Sequence, residues 1–406
     1  MRAFLLAAGI VLLAGSSIAS PVVSGAAAGP LAHTYSIVAR DPATGNFGVA
    51  VQSHWLQVGA VVPWARSGVG AVATQSFVRV DYGPRGLELM AAGGSARQAL
   101  DRLVEEDPGR DVRQVAMVDA AGRVATWTGS KCIPAAGHAS GKGYSVQANL
   151  MERPTVWGAM AAAYERAEGS FAERLLAALD AAQAEGGDIR GRQSAALLIV
   201  RAESTGHEWE DALVDLRVDD HPDPLVELRR LLTLHRAYEE TNLGDEAVAA
   251  GDLDGAIRHY RKGAELAPGI PELRYWQAVT LYSEGHVEAA LPIFRQVFEE
   301  ERRWVELTRR LPGVGLLPAE GLARILSEAP AGASTGAAAG IEVAGRLTDE
   351  GVECPALRGE DGELYTLVGK PQGFATGDHV LVRGEPVAFS FCMQGITLRV
   401  QSMEPR

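Results

Sequence analysis

An α+β layered domain followed by a helical region and a small β-domain is what this sequence predicts, and three observations predict it. Short Val/Ile-rich runs bounded by turn residues come in groups, separated by pairs of Ala/Leu-rich helical stretches, over roughly the first half of the chain. A 34-residue repeat of helical character follows, and after a Gly/Ala/Ser-rich stretch the chain ends in β-like runs. The grouping of strands and helices, rather than their strict alternation, favours α+β layers over a parallel α/β sheet.

The elements follow in order. Met1-Arg2, the apolar run Ala3–Ala14 and the small residues Ser17-Ile18-Ala19 have the form of a secretory signal over residues 1–19. This implies export to a periplasmic or extracellular compartment. The run is shorter than the about 20 residues a bilayer requires, so no membrane span is expected once the signal is removed. Residues 20–32 have linker composition, and the first folded domain is expected over 33–223. Tyr35–Ala39 and Phe47–Ser53 flank the turn DPATGN and should form a hairpin, with further strand-like runs up to Ser76. Leu87, Met90 and Ala91 mark one helix and Ala96, Leu100 and Leu103 a second. Val115–Asp119 and Val124–Thr128 read as strands, Val156–Glu168 and Phe171–Ala184 as helices, and Ser194–Arg201 as a buried strand.

From Asp223, a plausible N-cap before Pro224, a helical stripe runs through Leu225, Leu228, Leu231, Leu232 and His235 and opens a helical region over 224–326. The neighbouring cluster of Asp215, Asp219, Asp220, His221 and Asp223 fits a capped helix start better than a metal site, because no calcium-loop spacing is present. Gly251, Leu253, Ala256 and Tyr260 recur as Gly285, Val287, Ala290 and Phe294, a pattern similar to the tetratricopeptide repeat, with Trp304–Leu311 as a capping helix. Such repeats either bind a protein partner or serve as a packing module. A linker at 327–340 leads to a domain at 341–406, where Ile341–Leu347, Leu364–Val368, His379–Arg383 and Ile396–Gln401 suggest a small barrel of the oligonucleotide/oligosaccharide-binding (OB) type. Its small core would gain about 4 kcal/mol from a Cys354–Cys392 disulfide in an oxidising compartment.

Charge and motifs exclude several functions. The 38 basic and 51 acidic residues give a net charge of −13 with no Lys/Arg run, which argues against nucleic acid as a partner. Three cysteines without metal-ligand spacing, and the absence of a nucleotide loop, lead us to expect no metal and no cofactor. No Gly-x-Ser-x-Gly elbow is present. A Cys132/His138 pair is conceivable as a dyad, though a lone Cys is more often a buried small hydrophobe.

The blocks HTYSIVARDPATGNFGVAVQSHWLQVGAVVPWARSGVGAVATQS, YGPRGLELMAAGGSARQAL, RQVAMVDAAGRVATWTG, GHASGKGYSVQANLM, GGDIRGRQSAALLIV and DLRVDDHPDPLVELRRLLTLH match, in order, an Ntn-hydrolase-like family catalogued as domain of unknown function 1028. The resemblance covers Thr34 to about Tyr238. It implies a four-layer αββα sandwich and, by analogy with N-terminal-nucleophile hydrolases, a mature chain that begins with its nucleophile. Thr34 is the matching residue. Its α-amino group, with a pKa of about 7.7–8.0, could take the hydroxyl proton. The alternative is an ordinary strand residue, with Ser36, two positions on along the same face, as a weaker candidate. Because 33 residues precede Thr34, and cuts after Ala19, Ala28 or Ala32 all leave at least one residue, activity would require cleavage at His33-Thr34.

Ser53, Gln147 and Asn149 are further catalytic candidates, the two amides as oxyanion donors. Arg40, Asp41, Thr74, Gln75, Asp188 and Arg190, with Arg192 in the same charged loop, are candidates for binding a small-molecule or peptide substrate. The expected function is therefore an exported hydrolase of an amide bond. The alternative is a non-catalytic envelope protein whose repeats and barrel hold a protein partner or a cell-wall component; a homodimer is compatible with either.

Overall fold

The structure, a computed structural model, describes residues 31–32, 34–330, 341–351, 354–369, 373–386 and 395–406. The expected signal, most of the linker before Thr34 and most of the later linker lie outside these residues. The chain divides into two units, one ending at His235 and one beginning at Arg236.

The first unit holds two antiparallel sheets. One contains β2 (Thr34–Arg40), β3 (Phe47–Ser53), β8 (Gly137–Gly141), β9 (Tyr144–Ala148), β10 (Ser194–Val200) and β11 (Ala212–Val218), in the order β11-β10-β3-β2-β9-β8. The other contains β1 (Leu31–Ala32), β4 (Pro63–Arg66), β5 (Gly70–Phe77), β6 (Arg113–Asp119) and β7 (Val124–Thr128), in the order β1-β5-β6-β7 with β4 also on β5. Helices α1 (Tyr82–Ala91) and α2 (Ala96–Glu105) pack on the second sheet through Leu87, Leu100, Leu103, Val115 and Met117. Helices α3 (Val156–Arg166) and α4 (Phe171–Ala184) pack on the first through Tyr35, Ile37, Met160, Leu175 and Leu179. Between the sheets lie Val38, Val49, Val51, Ala71, Ala73, Ala116 and Val118. The layers are therefore helix, sheet, sheet, helix. Central strands covered on both faces lose the apolar/polar alternation of a half-exposed sheet, which is why β2 and β3 read as continuous apolar runs.

Local chemistry fixes the ends of the elements. Ser95 with Gln98 and Ser170 with Glu173 form capping boxes at the starts of α2 and α4. The hairpin Gly137–Ala148 and the edge strand β11 are additions to the expected elements. At Gly48 a Cβ would lie 2.6 Å from Leu175 Cδ1 and 2.8 Å from Phe171 Cε1, so α4 sits on β3 only because this residue is glycine. Gly48→Ala is expected to lower stability by about 1–3 kcal/mol, the usual cost of overpacking, measured by urea denaturation.

A helix α5 (Glu208–Asp211) precedes β11, and the long helix α6 (Pro224–Ala249) crosses the boundary between the units. Its first turns place Leu225, Leu228 and Leu232 in the core of the first unit. The expected boundary at 223/224 therefore moves to 235/236, because a helix start cannot reveal which core its stripe will join.

The second unit contains α7 (Leu253–Leu266), α8 (Pro271–Ser283), α9 (Val287–Glu300), α10 (Arg303–Arg310) and α11 (Leu322–Leu326). Gly251 and Gly285, with φ of 78° and 85°, form the turns before α7 and α9, and Ala256, Tyr260, Ala290 and Phe294 are fully buried. The barrel consists of β12 (Ile341–Thr348), β13 (Ala356–Gly359), β14 (Leu364–Val368), β15 (His379–Pro386) and β16 (Ile396–Pro405), closed in the order β12-β13-β14-β16-β15 around Val343, Leu357, Leu367, Val382 and Leu398. The β14–β16 pair is parallel and the other pairs are antiparallel. Cys354 is buried just before β13, whereas Cys392 lies outside the described residues.

Candidate functional site

The space between the two sheets is apolar at one end and polar at the other. Alternation along β2 sends Tyr35, Ile37 and Ala39 toward the helices and Thr34, Ser36 and Val38 toward the facing sheet. On the facing strands, Gln75 shares the inward face of Ala71 and Ala73, and Gln114 that of Ala116 and Val118. Register places Thr34 opposite Ser53, and Ser36 opposite Gln147 on β9, with Asn149 just beyond the strand end. All seven side chains (Thr34, Ser36, Ser53, Gln75, Gln114, Gln147 and Asn149) belong to fully buried residues.

They form one hydrogen-bonded network. Thr34 Oγ1 donates to Ser53 Oγ at 3.1 Å. The Thr34 carbonyl accepts from Gln75 Nε2 at 3.0 Å, the Asn149 backbone N–H at 3.1 Å and Asn149 Nδ2 at 3.5 Å. Gln114 Oε1 accepts from Gln75 and Asn149, while its Nε2 donates to the Ala148 carbonyl at 2.9 Å and to Thr128 Oγ1 at 3.0 Å. Ser36 Oγ donates to Gln75 Oε1 at 2.6 Å and accepts from Gln147 Nε2 at 3.3 Å. Gln147 Oε1 is buried without a hydrogen-bond partner among the described residues. The seven groups are neutral hydroxyls and amides, so the network itself contains no titratable base.

Backbone geometry singles out the same end of the sandwich. The non-glycine residues with positive φ among the described residues are Gln57, Ser76, Ala135 and Leu150. Ser76 follows Gln75 and Leu150 follows Asn149. Ala135 accepts from the Met151 N–H, and Gln57 lies four residues beyond Ser53. Left-handed backbone in such residues is held only by over-determined surroundings and gathers at functional sites. Asp188 closes this end: its fully buried carboxylate accepts from the His54 N–H at 3.2 Å and pairs with Arg190 at 2.7 Å. A separate cavity of about 350 Å³, lined by Trp64, Ser67, Leu198 and Val200 among others, includes none of the network residues.

The candidates named from sequence are therefore divided. Thr34, Ser53, Gln75, Gln147 and Asn149 come together, with Asp188 and Arg190 at the same end. Arg40 and Asp41 do not join them. The β2–β3 hairpin pairs Arg40 with Phe47 and Thr34 with Ser53, so Arg40 lies six residues along β2, about 20 Å from Thr34. Asp41 instead holds its own turn, accepting from Thr44 Oγ1 at 2.7 Å, and pairs with Arg174. Thr74 is turned to the other face of β5 and donates to the Arg79 carbonyl. The amide donors of Gln147 and Asn149 already have protein acceptors, so both residues position Thr34 and Ser36 rather than present open oxyanion donors.

Gln114 was not anticipated; its signal is a lone amide on the inward period of RQVAMVD. Cys132 donates its thiol to the Arg113 carbonyl, whereas His138 Nδ1 bonds Thr128 Oγ1 at 2.8 Å, so the conceivable dyad is not formed. Burial pushes the Cys132 thiol above its ordinary pKa. Cys132 is therefore expected to react with a thiol reagent at pH 8 only as fast as the protein unfolds; rapid labelling of the native protein would refute this. Among the described residues no cluster of His, Cys, Asp and Glu could hold a metal ion, and no helix is long and apolar enough to cross a membrane.

Comparison with known proteins places this sandwich. Residues 344–406 match a protein family of unknown function, DUF5818. No curated protein matches the chain. Residues 34–228 match the family of unknown function DUF1028. The crystal structure of protein SPO2555 from Silicibacter pomeroyi, assigned to the same family, is 31% identical, with a TM-score of 0.45; the match covers 49% of this chain and 88% of that one. The family-model match assigns residues 34–228 of this chain to the DUF1028 family.

Proposed function

We propose that this protein is an exported hydrolase of the N-terminal-nucleophile type, acting on an amide bond with Thr34 as the nucleophile. One observation carries the reading: Thr34 opens β2 with its hydroxyl on Ser53 and its carbonyl held by Gln75 and Asn149, in a buried network of neutral groups. Such a network orients a nucleophile but supplies no base. The α-amino group freed by cleavage of the His33–Thr34 bond would supply it.

Maturation then begins with attack of Thr34 Oγ1 on the His33 carbonyl carbon. The C–N bond breaks, the nitrogen leaves as the Thr34 amine carrying the hydroxyl proton, and water hydrolyses the resulting ester. In turnover, the amine takes the Oγ1 proton as Oγ1 bonds the substrate carbonyl carbon. It passes that proton to the departing nitrogen when the C–N bond breaks. Water then cleaves the acyl-threonine ester and returns a proton to Oγ1. In this reading the four layers are the N-terminal-nucleophile sandwich, the 34-residue helical pairs are tetratricopeptide-like, the barrel is OB-like, and Cys354 pairs with Cys392.

The test is the N-terminal sequence and intact mass of the exported protein. A chain beginning at Thr34 supports the proposal, and a chain beginning near Ser20 removes the base from the mechanism. The latter outcome would favour a non-catalytic envelope protein, a reading to which one observation lends weight: Leu31–Ala32 pair with Ser76–Phe77 while Thr34 is fully buried.

A further inference from the structure

Leu31 and Ala32, shortly before Thr34, occupy a defined place. β1 pairs antiparallel with the end of β5, Leu31 opposite Phe77 and Ala32 opposite Ser76. The first part of the same β5 edge is taken by β4, which pairs Pro63–Arg66 with Ala73–Gly70. The only stretch of β5 that β4 leaves to β1 is thus the stretch beside Thr34. Two features stiffen it. Ser76 has a φ of 74°, and Arg113, paired with buried Asp107, donates to the Phe77 carbonyl at 2.6 Å.

We propose that the Ser76–Phe77 edge of β5 is the acyl-side subsite of this enzyme, and that its substrates are extended peptides which add to that edge as β1 does. The inference rests on the hydrolase reading above. The bond cleaved in maturation is His33–Thr34, so the segment ending at His33 is the acyl half of the first substrate the site meets. β1 holds that half on β5 through the main chain. Strand addition of this kind takes its affinity from backbone hydrogen bonds and is open to any chain that can extend. A compact amide, with no chain on its acyl side, cannot use the edge. Departure of β1 after maturation would leave two residues of sheet edge uncovered beside the new N-terminus, ready for the next extended segment.

The test uses the full-length chain carrying Thr34→Ala, so that binding is read without turnover. In a second version Leu31→Pro and Ala32→Pro remove the amide donors of β1 and release it. A fluorescein-labelled peptide of residues 29–33, Gly-Pro-Leu-Ala-His, is titrated into both and followed by anisotropy, with thermal melts as a folding control. Saturable binding to the released chain is expected, at least tenfold weaker to the chain with β1 intact. In an antiparallel ladder only alternate residues face the partner, so N-methylation of either the Leu or the Ala amide, but not both singly, should abolish binding.

No binding to the released chain, equal binding to both chains, or indifference to both N-methyl groups overturns the proposal. If the proline variant does not fold, amide hydrogen exchange at whichever of Ser76 and Phe77 turns its N–H to β1 decides, in the Thr34→Ala chain. Exchange through local opening of β1 is expected, and exchange only through global unfolding overturns the proposal. Loss of peptide binding alongside a mature chain that starts at Thr34 sinks this subsite alone. Peptide binding alongside a chain that retains residues before Thr34 sinks the hydrolase alone.

Discussion

Thr34→Ala is expected to leave the protein with residues before position 34 and to lower amide turnover by roughly 10⁶-fold, the size of the loss when the nucleophile of a catalytic unit is removed. The fold should survive. The variant loses the hydrogen bond to Ser53 Oγ, about 1 kcal/mol, while the donors on its carbonyl remain, since Gln75 and Asn149 bind the main chain. Thr34→Ser keeps a hydroxyl at the same place and should mature and turn over, more slowly. Wild-type turnover should rise with pH as the amine loses its proton, with a midpoint at or below about 8, because burial in the site lowers an amine pKa. Intact masses and rates that are the same for Thr34→Ala and the wild type would end the nucleophile hypothesis. A variant that neither matures nor folds would be resolved by Thr34→Ser.

What the sequence made legible was local. Short Val/Ile-rich runs bounded by turn residues located β2, β3, β6, β7 and β10, and the capping boxes of α2 and α4 sit where the helical periods begin. The association of distant residues was less visible. Gln75, Gln114 and Gln147 meet only because β5 and β6 face β2 and β9 across the sandwich, and no local pattern encodes which sheets face each other. A Gln on an alanine-lined face is nevertheless a signal, since a buried amide must find partners; Gln75 and Gln147 are candidates from sequence on other grounds, as a substrate-binding residue and an oxyanion donor, and Gln114 is not among the candidates. Arg40 and Asp41 show the converse error. They are charged residues at a strand end, but a hairpin brings the end of one strand to the start of the next, far from Thr34. The four-residue strand β13 and the mixed edge strand β11, ALVDLRV, escaped because each carries too little periodicity.

Asp107→Ala should destabilise the fold by about 3–5 kcal/mol, because it leaves the buried Arg113 guanidinium without its carboxylate. Asp107 and Arg113 are paired at 3.0 Å with side chains 2% and 5% exposed, and the carboxylate also accepts from the Gly109 N–H and the Tyr82 hydroxyl. Burial pushes the Asp107 carboxyl upward, but hydrogen bonds from Arg113 and Gly109 and the Arg113 charge outweigh it and hold the pKa below the usual carboxylate value. A carboxyl lowered in the folded state contributes stability that is present above its unfolded pKa of about 3.9 and is lost as pH falls through the folded value. The gap between wild type and variant should therefore be full at pH 7 and should narrow as pH drops below about 4. Urea denaturation across that range measures it. A gap under about 1 kcal/mol at pH 7, or one that stays constant into acid, would show that the pair is not the source of stability. The consequence reaches the site, because Arg113 bridges this carboxylate to the Phe77 carbonyl at the end of β5. Loosening it should speed amide exchange at Ser76 and Phe77 before exchange rises in β2, which joins the stability of the sandwich to the edge on which β1 lies.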